Sequence, residues 1–398
     1  MRRDYDVVIV GSGPAGCSTA LHLARLSPSL RGRVAVLEKS SHPRHKLCGG
    51  GLVWDVDTIL RDLGLDLSEV PHVDAKWAHL LWHGRGLRMN LGDIAFHVVR
   101  RREFDAWLAA RVRDCGIAVH EQTEVLSLRR DAEGIELSTS RGVLRARAVV
   151  GADGSKGLCR RAVAGDAGAT ARLLEVMIPP PAGCTAPPGE ATFEFRHVPA
   201  GVQGYFWNFP MEIEGRPMRN LGVYDSRVRA EAPSAGSLKG YLERELELQG
   251  VRLCDCKVEG HPIHLFSRRS ALSAPHIVLA GDAAGADPLL GEGIGPALGY
   301  GELAARALVD AFARDDFGFA DYTRRVHESR LGRSLRKREV AARLLYAIKR
   351  PALHRLVWWH LQPLVRRFVY HHVFRWARPS LPLAQELPRV AGEPARAS

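Results

Sequence analysis

Tyr5-Asp6-Val7-Val8-Ile9-Val10-Gly11-Ser12-Gly13-Pro14-Ala15-Gly16 decides how the rest of this chain is read. An apolar run of strand character stops at three glycines, and a helix-like stretch, Cys17 to Leu26, follows at once. A dinucleotide site needs this order, because glycines let the backbone turn tightly against a pyrophosphate whose charge then rests on the helix's first amides. A second apolar run, Val34 to Leu37, ends at Glu38, about 20 residues past the glycines, where a carboxylate can hold a ribose hydroxyl. The pattern names Gly11, Gly13, Pro14, Ala15, Gly16 and Glu38 as nucleotide-binding residues.

Two later glycine segments separate a flavin from a nicotinamide. Gly151-Ala152-Asp153-Gly154-Ser155 follows the strand-like Ala146 to Val150, and Gly281-Asp282-Ala283-Ala284-Gly285 follows His276 to Ala280. Asp282 then stands between a strand and a helix starting near Gly293, where its side chain can bond a ribityl hydroxyl and the helix amides face phosphate or ring. A dehydrogenase for free NAD needs no such third segment. FAD is therefore the expected cofactor, with Asp153 and Asp282 among its contacts. A second glycine fingerprint for a resident nicotinamide is absent, since Gly291 to Gly299 follows no strand directly. NAD(P)H enters only as a transient donor, with other reductants equally open.

The expected fold is α/β. A discontinuous Rossmann-like FAD-binding domain (1–72, 96–167, 275–322) carries an inserted antiparallel-sheet substrate domain (73–95 and 168–274). In the first, Arg102 to Cys115 reads as a helix leading into strand-like Ala118 to Leu128. In the second, Thr192 to His197, Gly204 to Phe209 and Asn220 to Tyr224 read as strands and Leu238 to Gln249 as a helix. A basic helical C-terminal region (323–378) and a disordered tail (379–398) complete the chain. At 398 residues, 46% hydrophobic and 25% charged, the composition is that of an ordinary globular protein.

No signal peptide is expected, because Asp4 and Asp6 occupy the place of a charged head and apolar core. Seven cysteines without a CxxC pair point to reduced thiols and a cytoplasmic location. Cys254, Cys256, His261 and His264 read as strand residues and no metal site is expected. The net charge of +12 belongs to one region, for Arg324 to Arg378 holds fifteen Lys/Arg against Glu328 and Glu339. Leu353, Val357, Leu361, Leu364 and Phe368 lie at helical spacing in it, among Trp358, Trp359 and Tyr370, and Pro351 and Pro363 divide it into short helices. This mixture suits peripheral contact with an anionic inner membrane surface. It equally suits a helical cap docked on the protein's own core. Nucleic acid is not an expected partner, for no motif supports it.

Cys48-Gly49-Gly50-Gly51 is the most particular feature for chemistry: three glycines let the backbone run flat against a ring system, with a thiol in the passage. In Gly204-Tyr205-Phe206-Trp207-Asn208-Phe209-Pro210, strand alternation puts Tyr205, Trp207 and Phe209 on one face, either a pocket wall or an aromatic core. The flavin ring is expected between that passage and this aromatic wall.

From about Tyr5 to Tyr300 the chain resembles the geranylgeranyl reductases, within the flavoprotein superfamily of the p-hydroxybenzoate hydroxylase type. The resemblance rests on the first glycine loop with Glu38, on Lys46 to Leu52 (KLCGGGL), on the YxWxFP pattern of Tyr205 to Pro210 and on Gly281 to Ile294. It implies that Arg101, in a VxRxxFD segment, contacts FAD, that the backbone at Val125 meets the adenine, and that Cys48, Gly49, Gly51, Asp282, Gly293 and Ile294 border the flavin. It further implies saturation of carbon–carbon double bonds in a prenylated small molecule or lipid. Cys48 is the first choice for proton donor or flavin-tuning group, Tyr205 the weaker choice, and Trp207 joins them at the reacting end. Two departures stand out. The loop Gly285 to Gly293 is one residue shorter than the family's and has Leu290 for threonine, and the C-terminal region matches no family motif. The alternative is a flavin monooxygenase or halogenase acting on an aromatic or natural-product substrate, for which Lys46 is the candidate lysine.

Overall fold

The computed structural model describes residues 4–165, 169–181, 189–232 and 236–377. The tail expected beyond 379 lies outside them. The opening strand Tyr5–Val10 is central in a parallel sheet ordered Ile277–Leu279, Gly142–Gly151, Tyr5–Val10, Val34–Leu37, Ala118–His120. Of these, Tyr5–Val10, Val34–Leu37 and Ile277–Leu279 are almost wholly apolar and buried, and so is the C-terminal half of Gly142–Gly151, as a sheet covered on both faces requires. The helix Pro14–Leu26 packs on it, wedged against the long helix Ile294–Arg314.

A seven-stranded sheet forms the roof, ordered Glu259–His264, Thr170–Ile178, Arg216–Asp225, Gly204–Ile213, Glu190–Glu194, Trp77–Trp82, Arg85–Met89. It is not purely antiparallel, since Glu190–Glu194 runs parallel to Trp77–Trp82. The parallel contact arises because the strands meet from chain segments more than a hundred residues apart, with no hairpin to set their direction. A small third sheet, Gly51–Leu52, Phe96–Val99, His72–Ala75, went unread in the sequence. Ala118 to Leu128 also divides differently: Ala118–His120 extends the parallel sheet, whereas Val125–Arg130 joins an antiparallel meander with Ile135–Thr139 and Gly142–Gly151. The break falls at Gln122, whose positive φ of 53° turns the chain. Cys254 lies in a short 3-10 turn, while His261 and His264 lie on the roof's edge strand.

The C-terminal region docks on the core. It runs as Tyr322–Glu328, Arg330–Leu345, Pro351–Arg355 with a π-turn to His360, and Gln362–Val369 with a π-turn to Phe374. Pro351 and Pro363 both sit in first turns, where the missing N–H costs nothing. Trp358 stacks on Phe195 of the roof with ring centres 4.4 Å apart, and the Asp55 carboxylate accepts the Trp376 and Ala377 amides at 2.7 and 3.0 Å. Arg338 is fully buried. It donates to Glu292 at 2.6 Å, to Asp287 at 3.3 Å and to the carbonyls of His372 and Val373. No helix among the described residues is long and apolar enough to cross a membrane.

Replacing Arg338 by Met leaves two buried carboxylates without their cation. The expected cost is about 3–5 kcal/mol, read as a lower midpoint in urea unfolding; an unchanged midpoint would contradict the assigned role.

Candidate active site

The first βα turn is built by contact. A side chain on Gly16 would run into the Gly11 carbonyl, so helix and strand approach as closely as they do only because residue 16 has no Cβ. Beside it, Glu38 Oε2 accepts from the Ser12 amide at 3.2 Å and its hydroxyl at 2.8 Å, while Oε1 accepts from the Ser40 amide at 3.0 Å. Burial alone would raise the Glu38 pKa, but the Arg44 guanidinium and these hydrogen bonds outweigh it and hold the carboxyl below its ordinary value. An ionised acceptor therefore stands where a ribose would lie. Arg44 and Arg101 both reach over Gly13: a Cβ there would stand 3.5 and 3.9 Å from their terminal nitrogens. Arg101 is held in place by both Asp105 oxygens at 2.7 and 2.8 Å. Two cations above a glycine turn at a helix N-terminus make a pyrophosphate cradle.

Every site residue expected from the sequence, Gly16 excepted, borders one cavity of about 830 Å³. The cavity runs from this cradle past Val125, Asp153 and Asp282 to Cys48, Gly293 and Ile294, and ends among Leu80, Phe96, Phe193, Tyr205, Trp207 and Phe374. The residues fit FAD: an open, cationic phosphate cradle, a ribose acceptor, and glycines at 291 and 293 beside the N-terminus of a 21-residue helix. Asp282 stands at that N-terminus, 3.3 Å from where a Gly293 Cβ would be, and accepts from Ser155 at 3.4 Å. Asp153 has a further task, capping the helix Leu158–Ala164 through the Cys159 amide at 2.8 Å.

The CGGG passage is packed by protein on one side. A Cβ on Gly49 would lie 3.3 Å from Phe209 and 3.5 Å from Trp207 Nε1, one on Gly50 would strike the Val99 carbonyl, and one on Gly51 would meet Phe96 at 3.4 Å. The aromatic wall thus packs on the side of the passage where Cβ atoms would stand, while Cys48, Gly49 and Gly51 also border the cavity together with Tyr205 and Trp207. Trp207 is fixed by Asn220 Oδ1 at 2.7 Å and lies across Gly222 on the neighbouring strand. The Asn220 amide donates in turn to the Cys48 carbonyl at 3.4 Å. The Cys48 sulfur accepts from the Gly50 amide at 3.4 Å. Tyr205 donates its hydroxyl proton to the Leu290 carbonyl at 2.5 Å, and burial drives its pKa upward.

The loop Gly285 to Gly293 is pinned from three sides. Asp287 accepts the Leu289 and Leu290 amides at 2.8 and 3.1 Å, and Tyr205 and Tyr224 of the roof donate to loop carbonyls. From the C-terminal region, Tyr346 donates to the Leu289 carbonyl at 2.5 Å and Arg338 supplies its cation. Sequence reasoning missed Arg44, Asn220, Arg338 and Tyr346, and also Glu175. Buried on the roof strand Thr170–Ile178, Glu175 is hydrogen-bonded to Asn220 and to the Cys48 amide. Lys46 borders the cavity with its amine 2.7 Å from His261 Nε2, and burial lowers its pKa.

A family profile described as an FAD binding domain matches residues 4–201. The digeranylgeranylglycerophospholipid reductase 3 of Methanosphaera stadtmanae is 24% identical over 373 residues, covering 86% of this chain and 87% of that protein. Among solved structures, a geranylgeranyl bacteriochlorophyll reductase-like protein from Thermoplasma acidophilum superposes with a TM-score of 0.74 at 23% identity, over 94% and 97% of the two chains. CmlS, a flavin-dependent halogenase, superposes at 0.59 with 22% identity, over 85% of this chain and 62% of its own. At these identities the solved structures establish the fold.

Glu175 gives the site a pH signature. Burial, then nearby Glu259, lift its pKa to about 7 against the bonds from Asn220 and Cys48. The folded pKa lies above the ordinary 4.5, so stability is lost as pH rises through that interval. Glu175→Gln is expected to raise Tm at pH 8 relative to the native chain, the difference closing near pH 4.5; a pH-independent difference would refute this. Cavity, phosphate cradle and family match converge: the chain is an FAD-binding flavoprotein of the p-hydroxybenzoate hydroxylase-like superfamily, an oxidoreductase related to the geranylgeranyl reductases.

Proposed function

We propose that this protein saturates carbon–carbon double bonds of a prenyl chain. The observation that carries the reading is the shape of this cavity: a cationic dinucleotide cradle continues into an apolar end walled by Leu80, Phe96, Phe193, Val369, Val373 and Phe374. Such walls suit an uncharged, branched hydrocarbon, and they exclude the water that would compete for a hydride. Reduced FAD, bound through Glu38, Arg44, Arg101 and Asp282, would supply that hydride. An isolated alkene is unpolarised, so a proton must reach the other carbon. Tyr205 is a poor source, its hydrogen committed to Leu290. The Cys48 sulfur accepts a hydrogen bond from Gly50, which leaves its own S–H free to donate. Cys48 is therefore the proton donor in this reading, and Trp207, braced by Asn220, orients the alkene.

The direct test reduces the holoenzyme anaerobically with dithionite and mixes it with a polyprenyl alcohol. Flavin reoxidation with a product two hydrogens heavier is expected, and Cys48→Ser should slow it roughly 10²-fold or more with FAD content unchanged. Turnover only on admitting oxygen would overturn the reading in favour of a monooxygenase or halogenase, the class in which Lys46 would have the catalytic part.

A prenyl lipid is met at a membrane, and the outer face of the C-terminal region supports such contact. Val340, Leu344, Leu353, Leu356 and Leu364 are exposed there, half of the ten exposed large apolar side chains among the described residues. From Val340 to Arg378 the sequence has no Asp or Glu and eight Lys/Arg. Docking on the core and contact with lipid thus use opposite faces of the same helices. A cation near an anionic bilayer contributes about 1 kcal/mol, so Arg350→Gln with Arg355→Gln should weaken sedimentation with phosphatidylserine vesicles roughly 30-fold. Equal binding by the variant, or binding indifferent to lipid charge, would remove the membrane role.

A further inference from the structure

The three-stranded sheet behind the CGGG passage holds a group of side chains that the FAD chemistry does not use. On the strand His72–Ala75, His72 and Asp74 are two residues apart and so project from one face. Antiparallel register sets His97 of Phe96–Val99 directly opposite Asp74. Pleat and register thus bring two imidazoles and a carboxylate together. His97 Nδ1 lies 2.7 Å from Asp74 Oδ1, His72 Nε2 lies 3.6 Å from the same oxygen, and the three ligand atoms all fall within 4.8 Å of one another. Among the described residues no other set of His, Cys, Asp and Glu does this, Cys254, Cys256, His261 and His264 included.

The far nitrogens are anchored. His72 Nδ1 is 2.7 Å from the Val70 carbonyl, and His97 Nε2 is 3.2 Å from Asp57 Oδ2, on the helix Trp54–Asp62. A carbonyl and a carboxylate only accept, so both outer nitrogens must carry hydrogen. In the neutral tautomers this dictates, the inner nitrogens are lone pairs that face a carboxylate oxygen. Three acceptors pointed at one another repel unless a cation lies among them, and that cation is either a proton or a metal ion.

We propose that His72, Asp74 and His97 form a binding site for a borderline divalent transition metal ion, Zn²⁺ in the first instance. Two imidazoles and one carboxylate suit Zn²⁺, Ni²⁺ or Cu²⁺ and disfavour Mg²⁺ and Ca²⁺, which take all-oxygen sets. Tetrahedral ligands at about 2.0–2.2 Å from zinc lie roughly 3.3 Å apart, so the present separations close with small side-chain rotations. Outer-nitrogen bonds to a carboxylate and a backbone carbonyl are the arrangement that fixes metal-bound imidazoles. Asp74 is 49% exposed, which leaves an approach from solvent and room for water as a fourth ligand.

The ion would have a structural consequence. Leu52 pairs with His97 and Gly51 with Val98, while the Val99 amide donates to the Gly50 carbonyl at 3.0 Å. A metal joining the central strand Phe96–Val99 to the edge strand His72–Ala75 therefore braces the strand on which the CGGG passage rests. The site is independent of the substrate proposed above.

The test uses the full-length holoenzyme without an affinity tag, freed of metal by chelator dialysis and titrated with Zn²⁺ by calorimetry and by thermal melting. One saturable Zn²⁺ per chain with a raised Tm is expected, with no comparable effect of Mg²⁺. His72→Ala and His97→Ala should each weaken binding at least tenfold, whereas His371→Ala with His372→Ala, an adjacent pair elsewhere on the surface, should not. Should His97→Ala fail to fold, loss of the His72 and His97 imidazole NMR signals of the native chain on adding Ni²⁺ gives the same answer. Absence of saturable binding, or binding that survives both ligand substitutions, would show that the group holds only a proton and would overturn the proposal.

Discussion

A guanidinium without exposed surface, placed between two carboxylates, is the constraint around which this molecule is arranged. Arg338 comes from the C-terminal helices, Asp287 and Glu292 from the loop that closes the FAD-binding fold. Burying any one of these charges alone would be strongly unfavourable, so the C-terminal region must dock for the loop to hold its shape. The same loop offers its carbonyls to Tyr205 and Tyr224 of the roof and to Tyr346 of the cap. Sheet, roof and cap therefore meet at one short segment, and that segment borders the cavity at Gly291 and Gly293. The loop is held by side chains that come from outside it.

The cavity inherits its two characters from different parts of the chain. Its polar end belongs to the parallel sheet, where strand ends, glycines and helix N-termini collect by construction. Its apolar end is assembled from the roof strands and from Val369, Val373 and Phe374 of the cap. The alternating strand Gly204–Ile213 serves both sides of the roof, with Tyr205, Trp207 and Phe209 toward the cavity and Phe206 in the core formed with the helix Leu238–Glu247. An aromatic wall and an aromatic core are thus two faces of one strand.

What could be read in advance was local. The turn from Val10 to Gly16, the acid at Glu38 and the aspartates at 153 and 282 declare themselves through neighbours within a few residues or a fixed spacing. Alternation was enough to group Tyr205, Trp207 and Phe209. Partners that depend on register between distant strands left no such trace. Glu175 reaches Cys48 and Asn220 only because Thr170–Ile178 pairs with Arg216–Asp225. Arg338 looked like one more cation in a basic helix, and its burial follows from docking rather than from spacing. Glycines likewise announce a close approach without saying what approaches, and on one side of the CGGG passage Phe209, Trp207, Val99 and Phe96 do so.

The account's central claim is that one cavity receives FAD at the cradle and a hydrocarbon chain at the aromatic end. A crystal structure of the reconstituted protein with FAD and a polyprenyl ligand measures this most directly. The account predicts the pyrophosphate between Gly13 and the guanidinium groups of Arg44 and Arg101, and the prenyl chain between Phe193 and Phe374. Phosphates bound away from Gly13, or a prenyl chain found only on the outer surface, would contradict it.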